Sequence, residues 1–135
     1  TAASDRSRGK VKTAERYNYV ILGTLPYTDL VRETYTYGGR SGRPSARLTD
    51  NFINPTGTSP PSDSFSQSFV WNDLGDLSSQ GYPYRIGQAV GRTVSYGYTN
   101  GELTSVTGYA SSITYHPNGM VDQIRHTNNV TDVWG

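Results

Sequence analysis

Apolar and polar residues alternate with a period of two along much of this chain, and helical periodicity is weak. Arg16-Tyr17-Asn18-Tyr19-Val20-Ile21-Leu22 puts Tyr17, Tyr19 and Ile21 on one face, the pattern of a strand with one packed side. Glu33-Thr34-Tyr35-Thr36-Tyr37 does the same, as do Ser68-Phe69-Val70-Trp71, Thr93-Val94-Ser95-Tyr96-Gly97-Tyr98 and Ser112-Ile113-Thr114-Tyr115. Lys10 to Tyr19 is the only stretch in which a helix is worth weighing, and its Tyr-Asn-Tyr-Val-Ile tail favours a strand. The expected fold class is all-β.

Turn chemistry separates the alternating runs. Asn100-Gly101 and Asn118-Gly119 are strong hairpin signals, because a type I′ turn needs positive φ at both central residues. Pro117 holds His116 extended, which suits the end of a strand. Asn72-Asp73-Leu74-Gly75 reads as a slightly longer turn, and Gly38-Gly39-Arg40-Ser41-Gly42 as one longer still. Residues 51–66, with Pro55, Pro60 and Pro61, lack periodicity and read as a surface loop or linker.

Aligned on their turns, the hairpins share one spacing. Trp71 is followed by Gly75 and Leu77, Tyr98 by Gly101 and Leu103, and Tyr115 by Gly119 and Val121. A looser copy runs from Tyr35-Thr36-Tyr37 through Gly42 to Leu48. The aromatic closes one strand, the glycine turns the chain, and the aliphatic opens the return strand on the same face. A lone hairpin is marginal in water, whereas hairpins stacked edge to edge shelter one another's backbone. The chain is therefore expected to be a single unit of stacked antiparallel hairpins over residues 1–135. N-terminal strands fill 1–32, a degenerate hairpin 33–50, the Pro/Ser/Thr loop 51–66 and three hairpins 67–135.

These segments resemble the Rhs/YD-repeat family, whose repeat runs Tyr-Asp, two variable residues, Gly, a polar residue, Leu and a short Thr/Ser-Val tail. Gly101-Glu102-Leu103-Thr104-Ser105-Val106-Thr107 is similar to that second half, and Tyr35 to Arg43 has the look of the family. The likeness spans about residues 33–49 and 66–134. The aspartate of the Tyr-Asp pair is replaced by Gly38, Asn72, Thr99 and His116. No counterpart of the family's aspartate-rich self-cleaving motif is present, so autoproteolysis is not assigned. The resemblance implies a section of a large curved or spiral β-sheet shell, one that encloses or displays a C-terminal effector. It also implies a secreted or cell-surface location.

Composition supports the β reading. Only 33% of residues are hydrophobic, yet 12% are aromatic, with 11 Tyr and 15 Gly. An array of hairpins does not need a spherical core, so this content suffices. Charge is uneven: residues 1–50 hold nine Lys/Arg and five Asp/Glu, a formal +4, whereas residues 51–135 hold three and six, a formal −3. Arg6, Arg8, Lys10, Lys12 and Arg16 are read as a solvated strand side, diluted by Asp5 and Glu15, and no nucleic-acid partner is expected. The absence of cysteine excludes disulfides and thiolate metal sites. No run approaches the roughly 18 apolar residues of a membrane helix, and no signal peptide is visible. Val133-Trp134-Gly135 reads as mid-strand, so both ends are expected to continue into a longer chain.

Candidate chemistry is sparse. His116 and His126 lack metal-ligand spacing and a third ligand. No serine sits in a Gly-x-Ser-x-Gly elbow, and the few acids lie mostly in or beside turns. Asp73 and Asp76 near Asn72 could offer oxygen ligands to calcium, but turn-forming side chains bonding their own backbone account for them. Asn129-Val130-Thr131 matches a glycosylation acceptor, and Asn54-Pro55-Thr56 is disqualified by its proline. No catalytic, cofactor or metal site is expected. The partners expected are the rest of the same chain, or copies of it through open strand edges. The alternative is a glycan-binding or adhesive surface using exposed aromatics, with Tyr82, Tyr84 and Tyr109 near turns as its candidates.

Overall fold

The computed structural model describes residues 8–22, 25–38, 42–56 and 59–134. Its regular elements are eleven strands: β1 (Thr13–Leu22), β2 (Leu25–Gly38), β3 (Arg43–Ile53), β4 (Asp63–Trp71), β5 (Leu77–Gly81), β6 (Tyr84–Arg85), β7 (Thr93–Thr99), β8 (Glu102–Val106), β9 (Ala110–Tyr115), β10 (Val121–His126) and β11 (Thr131–Val133). All pair antiparallel in one open sheet, in the order β1-β2-β3-β4-β5-β7-β8-β9-β10-β11, with the short β6 beside β4. The fold is all-β, and along the main path each strand lies against the one before it in the chain, as stacked hairpins require, except that β7 follows β5 while β6 pairs with β4. Lys10 to Tyr19 contributes to β1, where the β-branched and aromatic tail prevails over any helical tendency.

The described residues form one layer. Only Leu30, Phe52, Val94, Ala110 and Ile113 are buried apolar side chains, far fewer than a second packed layer would produce. Cohesion comes instead from the backbone ladder and from side chains lying against neighbours on the same face.

The turns correct the sequence reading at several points. Asn100 and Gly101 both have positive φ, 52° and 84°, and Thr99 pairs with Glu102, a two-residue type I′ turn. Asn118-Gly119 is not one. Gly119 has φ 81° while Asn118 is not left-handed, His116 N donates to Met120 O at 2.8 Å, and Gly119 N donates to His116 O at 2.9 Å. This is a three-residue loop, Pro117 and Asn118 forming the turn and Gly119 taking the left-handed position. A two-residue turn would have made Pro117 the closing partner of Met120, a place that needs the N–H proline lacks. The loop at Asp73-Leu74-Gly75 has the same form, closed by Asn72 N to Asp76 O at 2.9 Å. So does Thr127-Asn128-Asn129, with Asn129 at φ 65° as the left-handed residue.

The Pro-rich loop is shorter than the composition suggested. Asn51 to Ile53 extend β3, Asp63 to Ser66 begin β4, and Asn51 pairs with Asp63 across the gap. Loop composition there does not stop the ladder, because no proline falls at a paired position. Leu48 does not open the return strand after Gly42: it lies five residues into β3, opposite Thr34, and Pro44 holds that place opposite Tyr37. Gly39, Arg40 and Ser41 of the predicted turn, Asp5 and Arg6 of the basic run, and the final Gly135 lie outside the described residues.

Candidate functional site

The residues singled out from sequence come together in one row across the sheet. Within each hairpin the aromatic stands opposite the residue two places after the turn glycine: Tyr37 opposite Pro44, Trp71 opposite Leu77, Tyr98 opposite Leu103 and Tyr115 opposite Val121. Each of these pairs is followed by a one-residue register shift. Ser45, Ser78, Thr104 and Asp122, three places after their glycines, are the extra residues. Such a bulge kinks the return strand and re-aims its side chains. Two of the bulge hydroxyls bond back to the carbonyl just before the aromatic, Ser45 Oγ to Thr36 O at 3.2 Å and Ser78 Oγ to Val70 O at 3.1 Å. At Asp122 the direction reverses, and Thr114 Oγ1 donates to its Oδ2 at 3.1 Å.

Each aromatic also reaches across to the preceding hairpin. Tyr37 Oη donates to Val11 O at 2.6 Å, Trp71 Nε1 to Pro44 O at 2.7 Å, Tyr98 Oη to Leu77 O at 3.1 Å and Tyr115 Oη to Leu103 O at 2.9 Å. All four acceptors stand two residues after a glycine of positive φ: Gly9, Gly42, Gly75 and Gly101. The left-handed glycine turns the chain so that this carbonyl is free to accept from a side chain. An aromatic with a polar tip suits the position, since its ring fills the sheet surface and its donor needs a partner when covered.

Charge decorates the row. Lys10 and Arg43, each one residue after a turn glycine, place their cations 4.9 Å from the Tyr37 ring and 4.7 Å from the Trp71 ring, a geometry attractive to the ring face. Lys10 Nζ also donates to Gly42 O. The matching places in the next two hairpins are Asp76 and Glu102. Burial, followed by the Asp76 charge, holds the Tyr98 phenol above the ordinary tyrosine value. Beside the row, Tyr35 Oη donates to Glu33 Oε2 at 2.7 Å, and Arg47 bridges Glu33 at 3.3 Å to the buried Gln67 at 2.8 Å. The hydrogen bond to Glu33, then burial, raises the Tyr35 phenol. Tyr35, Pro44, Arg47, Gln67, Phe69 and Trp71 face one open cavity of about 370 Å³.

The remaining candidates separate. Tyr82 and Tyr109, both exposed, meet through their hydroxyls at 2.8 Å, and Arg92 lies 4.7 Å from the Tyr109 ring. That shared hydrogen bond raises the Tyr82 phenol. Tyr84 sits half-buried on β6, opposite Ser66. Asn72 Oδ1 accepts from Asp76 N at 2.8 Å and its Nδ2 donates to Asp76 Oδ2 at 3.1 Å, so these two residues fasten their own turn. His126 Nε2 lies 2.8 Å from Asp132, whereas His116 Nε2 lies 3.1 Å from Trp134 O and 3.6 Å from Asp122. Among the described residues no three His, Asp or Glu side chains gather closely enough to hold a metal ion, and no helix is long and apolar enough to cross a membrane.

Sequence spacing missed Val11, Pro44 and Trp134. Gly9-Lys10-Val11 carries the same glycine–x–apolar signature as the later hairpins, but residues 1–8 contain no aromatic to announce it. Trp134 follows β11, and its N donates to Asp122 O at 2.9 Å as Tyr35 N donates to Lys12 O at 2.9 Å, which gives it the register place of Tyr35, two residues before that of a row aromatic. No family model, no curated protein and no solved structure matches the chain.

Proposed function

We propose that the chain is a non-catalytic structural scaffold, a stretch of wall in an Rhs/YD-type β-shell that encloses or displays a C-terminal effector outside the cell or at its surface. The observation that carries this reading is the use made of the aromatic tips. Tyr37, Trp71, Tyr98 and Tyr115 all direct their donors to a backbone carbonyl of the preceding hairpin. Donors committed to the backbone give a sheet its register and leave little for a ligand. The one-layer build fits a wall, which needs area more than depth. Electron microscopy of the full-length gene product tests the reading. A continuous wall of stacked strands containing this segment is expected, and a detached globular module in its place would overturn the proposal.

One observation favours a second reading. Tyr82 and Tyr109 present exposed, hydroxyl-linked rings beside Arg92, a surface on which a sugar could stack and hydrogen-bond. Screening the chain against an array of glycans, with Tyr109→Ala as control, tests it. Saturable binding lost in that variant supports an adhesive surface, and no binding sets it aside.

A further inference from the structure

Tyr82 and Tyr109 lie 27 positions apart in the chain, and their hydroxyl oxygens stand 2.8 Å from each other. Backbone hydrogen bonds set both places. Tyr82, the residue after β5, donates its N–H to Arg92 O at 2.8 Å. Tyr109, the residue before β9, donates its N–H to Val106 O at 3.0 Å and accepts from Thr127 N at 3.0 Å. Arg92 serves both. Its guanidinium sits 4.7 Å from the centre of the Tyr109 ring, in space that a side chain at Gly108 would occupy. The cation is held against one face of that ring, and the hydroxyl edge is left to Tyr82. Both rings are open to solvent, 42% and 44% exposed. Other tyrosine hydroxyls are engaged elsewhere, those of Tyr37, Tyr98 and Tyr115 with carbonyls and those of Tyr17 and Tyr35 with glutamates.

Two phenols that meet tip to tip are placed for oxidative coupling. Loss of one electron and one proton from a phenol spreads unpaired spin over the oxygen and the ring carbons ortho to it. Those carbons are two bonds from the oxygen, so contact between the oxygens makes them neighbours. Tyr17 and Tyr19 offer a contrast, because their rings stack nearly parallel with centres 6.5 Å apart, face to face instead of edge to edge.

We propose that Tyr82 and Tyr109 form a site of covalent modification, joined by a carbon–carbon bond between their ortho carbons when the chain meets a peroxidase and hydrogen peroxide. Each phenol gives up one electron and one proton, and one peroxide is reduced to two waters. The two radicals pair to make the new bond. The hydrogen on each joined carbon then leaves as a proton while each oxygen regains one, so both hydroxyls return and the chain is lighter by two hydrogens. The proposal goes beyond both the wall and the glycan readings and depends on neither.

The sheet gives such a bond its consequence. In strand order β7 and β8 lie between β5 and β9, so the link clasps the ends of two strands that share no ladder. The chain has no cysteine. A link of this kind acts as a disulfide would, closing a loop that the unfolded chain otherwise explores freely.

Oxidation of the dilute whole chain with a haem peroxidase and limiting hydrogen peroxide tests this. Dityrosine fluorescence is expected in material that stays monomeric on a denaturing gel. Trypsin should then release residues 48–85 and 93–125 as one species, lighter than their sum by two hydrogens, and tandem mass spectrometry should place the bond at Tyr82 and Tyr109. Tyr82→Phe and Tyr109→Phe should each abolish that species, whereas Tyr84→Phe should leave it unchanged, with far-UV circular dichroism verifying that every variant keeps its β spectrum. The linked chain should also unfold at a higher urea midpoint than the unlinked one. A folded parent that forms no link within the chain overturns the proposal, and so does a link that maps to Tyr84 or survives in Tyr82→Phe. An unchanged urea midpoint in the linked chain overturns the clasp.

Discussion

Tyr115 donates its phenolic hydrogen to the carbonyl oxygen of Leu103 at 2.9 Å, although its own cross-strand partner is Val121. One residue thus belongs to two hairpins, paired within one by backbone register and tied to the previous one by its tip. The same double attachment at Tyr37, Trp71 and Tyr98 turns a series of marginal hairpins into one sheet. The antiparallel ladder alone leaves register open to slippage where side chains are small and polar. A side chain that must find one carbonyl removes that freedom.

Removing one tip therefore has a defined cost. Tyr115→Phe or Tyr98→Phe keeps the ring and loses the hydrogen bond, and each is expected to lower stability by about 1 kcal/mol. Tyr115→Ala also removes the packed ring and is expected to cost about 2–4 kcal/mol. Urea unfolding followed by far-UV circular dichroism gives both numbers. Equal losses for Phe and Ala would mean that the ring does not pack.

The turn glycines separate conformational strain from crowding. Gly101 and Gly119 have φ 84° and 81°, with open space where a Cβ would stand. Gly119→Ala is therefore expected to cost about 1–2 kcal/mol through the left-handed backbone alone. Asn129, at φ 65°, holds the matching place in its loop, and Asn129→Gly is expected to change stability by no more than a few tenths of a kcal/mol, in the stabilising direction. Thermal midpoints of the two variants should fall on opposite sides of the parent.

Much of this was legible in the residues. Alternation around Tyr17, Tyr35, Trp71 and Tyr96 announced strands because period two is a backbone property, independent of what covers the face. Asn100-Gly101 announced its turn because few dipeptides tolerate two positive φ values. The bulges at Ser45, Ser78, Thr104 and Asp122 stayed hidden, since an extra residue alters register without altering composition. Pro44 lacks the aliphatic side chain that marks this place in the later hairpins and Leu48 carries one, while the structure uses the carbonyl, which every residue has. The meeting of Tyr82 with Tyr109 joins positions 27 apart in sequence, a separation that no local pattern encodes.

The cation above Trp71 gives a spectroscopic handle. Arg43 lies 4.7 Å from that ring, and the chain's other tryptophan is Trp134. In a Trp134→Phe background, Arg43→Ala uncovers one face of Trp71, so its emission should move to longer wavelength and its quenching by iodide should increase. A loss of about 0.5–1 kcal/mol is expected alongside. An unchanged spectrum would show that the guanidinium does not cover the ring in solution.

Alkaline pH acts on the same side chains. Tyr98, through burial and the Asp76 charge, and Tyr35, through its hydrogen bond to Glu33 and burial, are held above the ordinary value of 10.0. A folded-state value raised above the unfolded one contributes stability that is whole below the unfolded value and lost as pH rises through the folded one. The contribution of these phenols should therefore be constant from about pH 7 to 9 and decline above about 10. The protonated Tyr98 is also the form that donates to Leu77 O at 3.1 Å, so ionisation removes a hydrogen bond between hairpins as well. Urea midpoints measured across this range should drop more steeply in the parent than in a Tyr35→Phe, Tyr98→Phe double variant, which has neither phenol to ionise. Parallel curves for the two proteins would assign the alkaline loss to other groups.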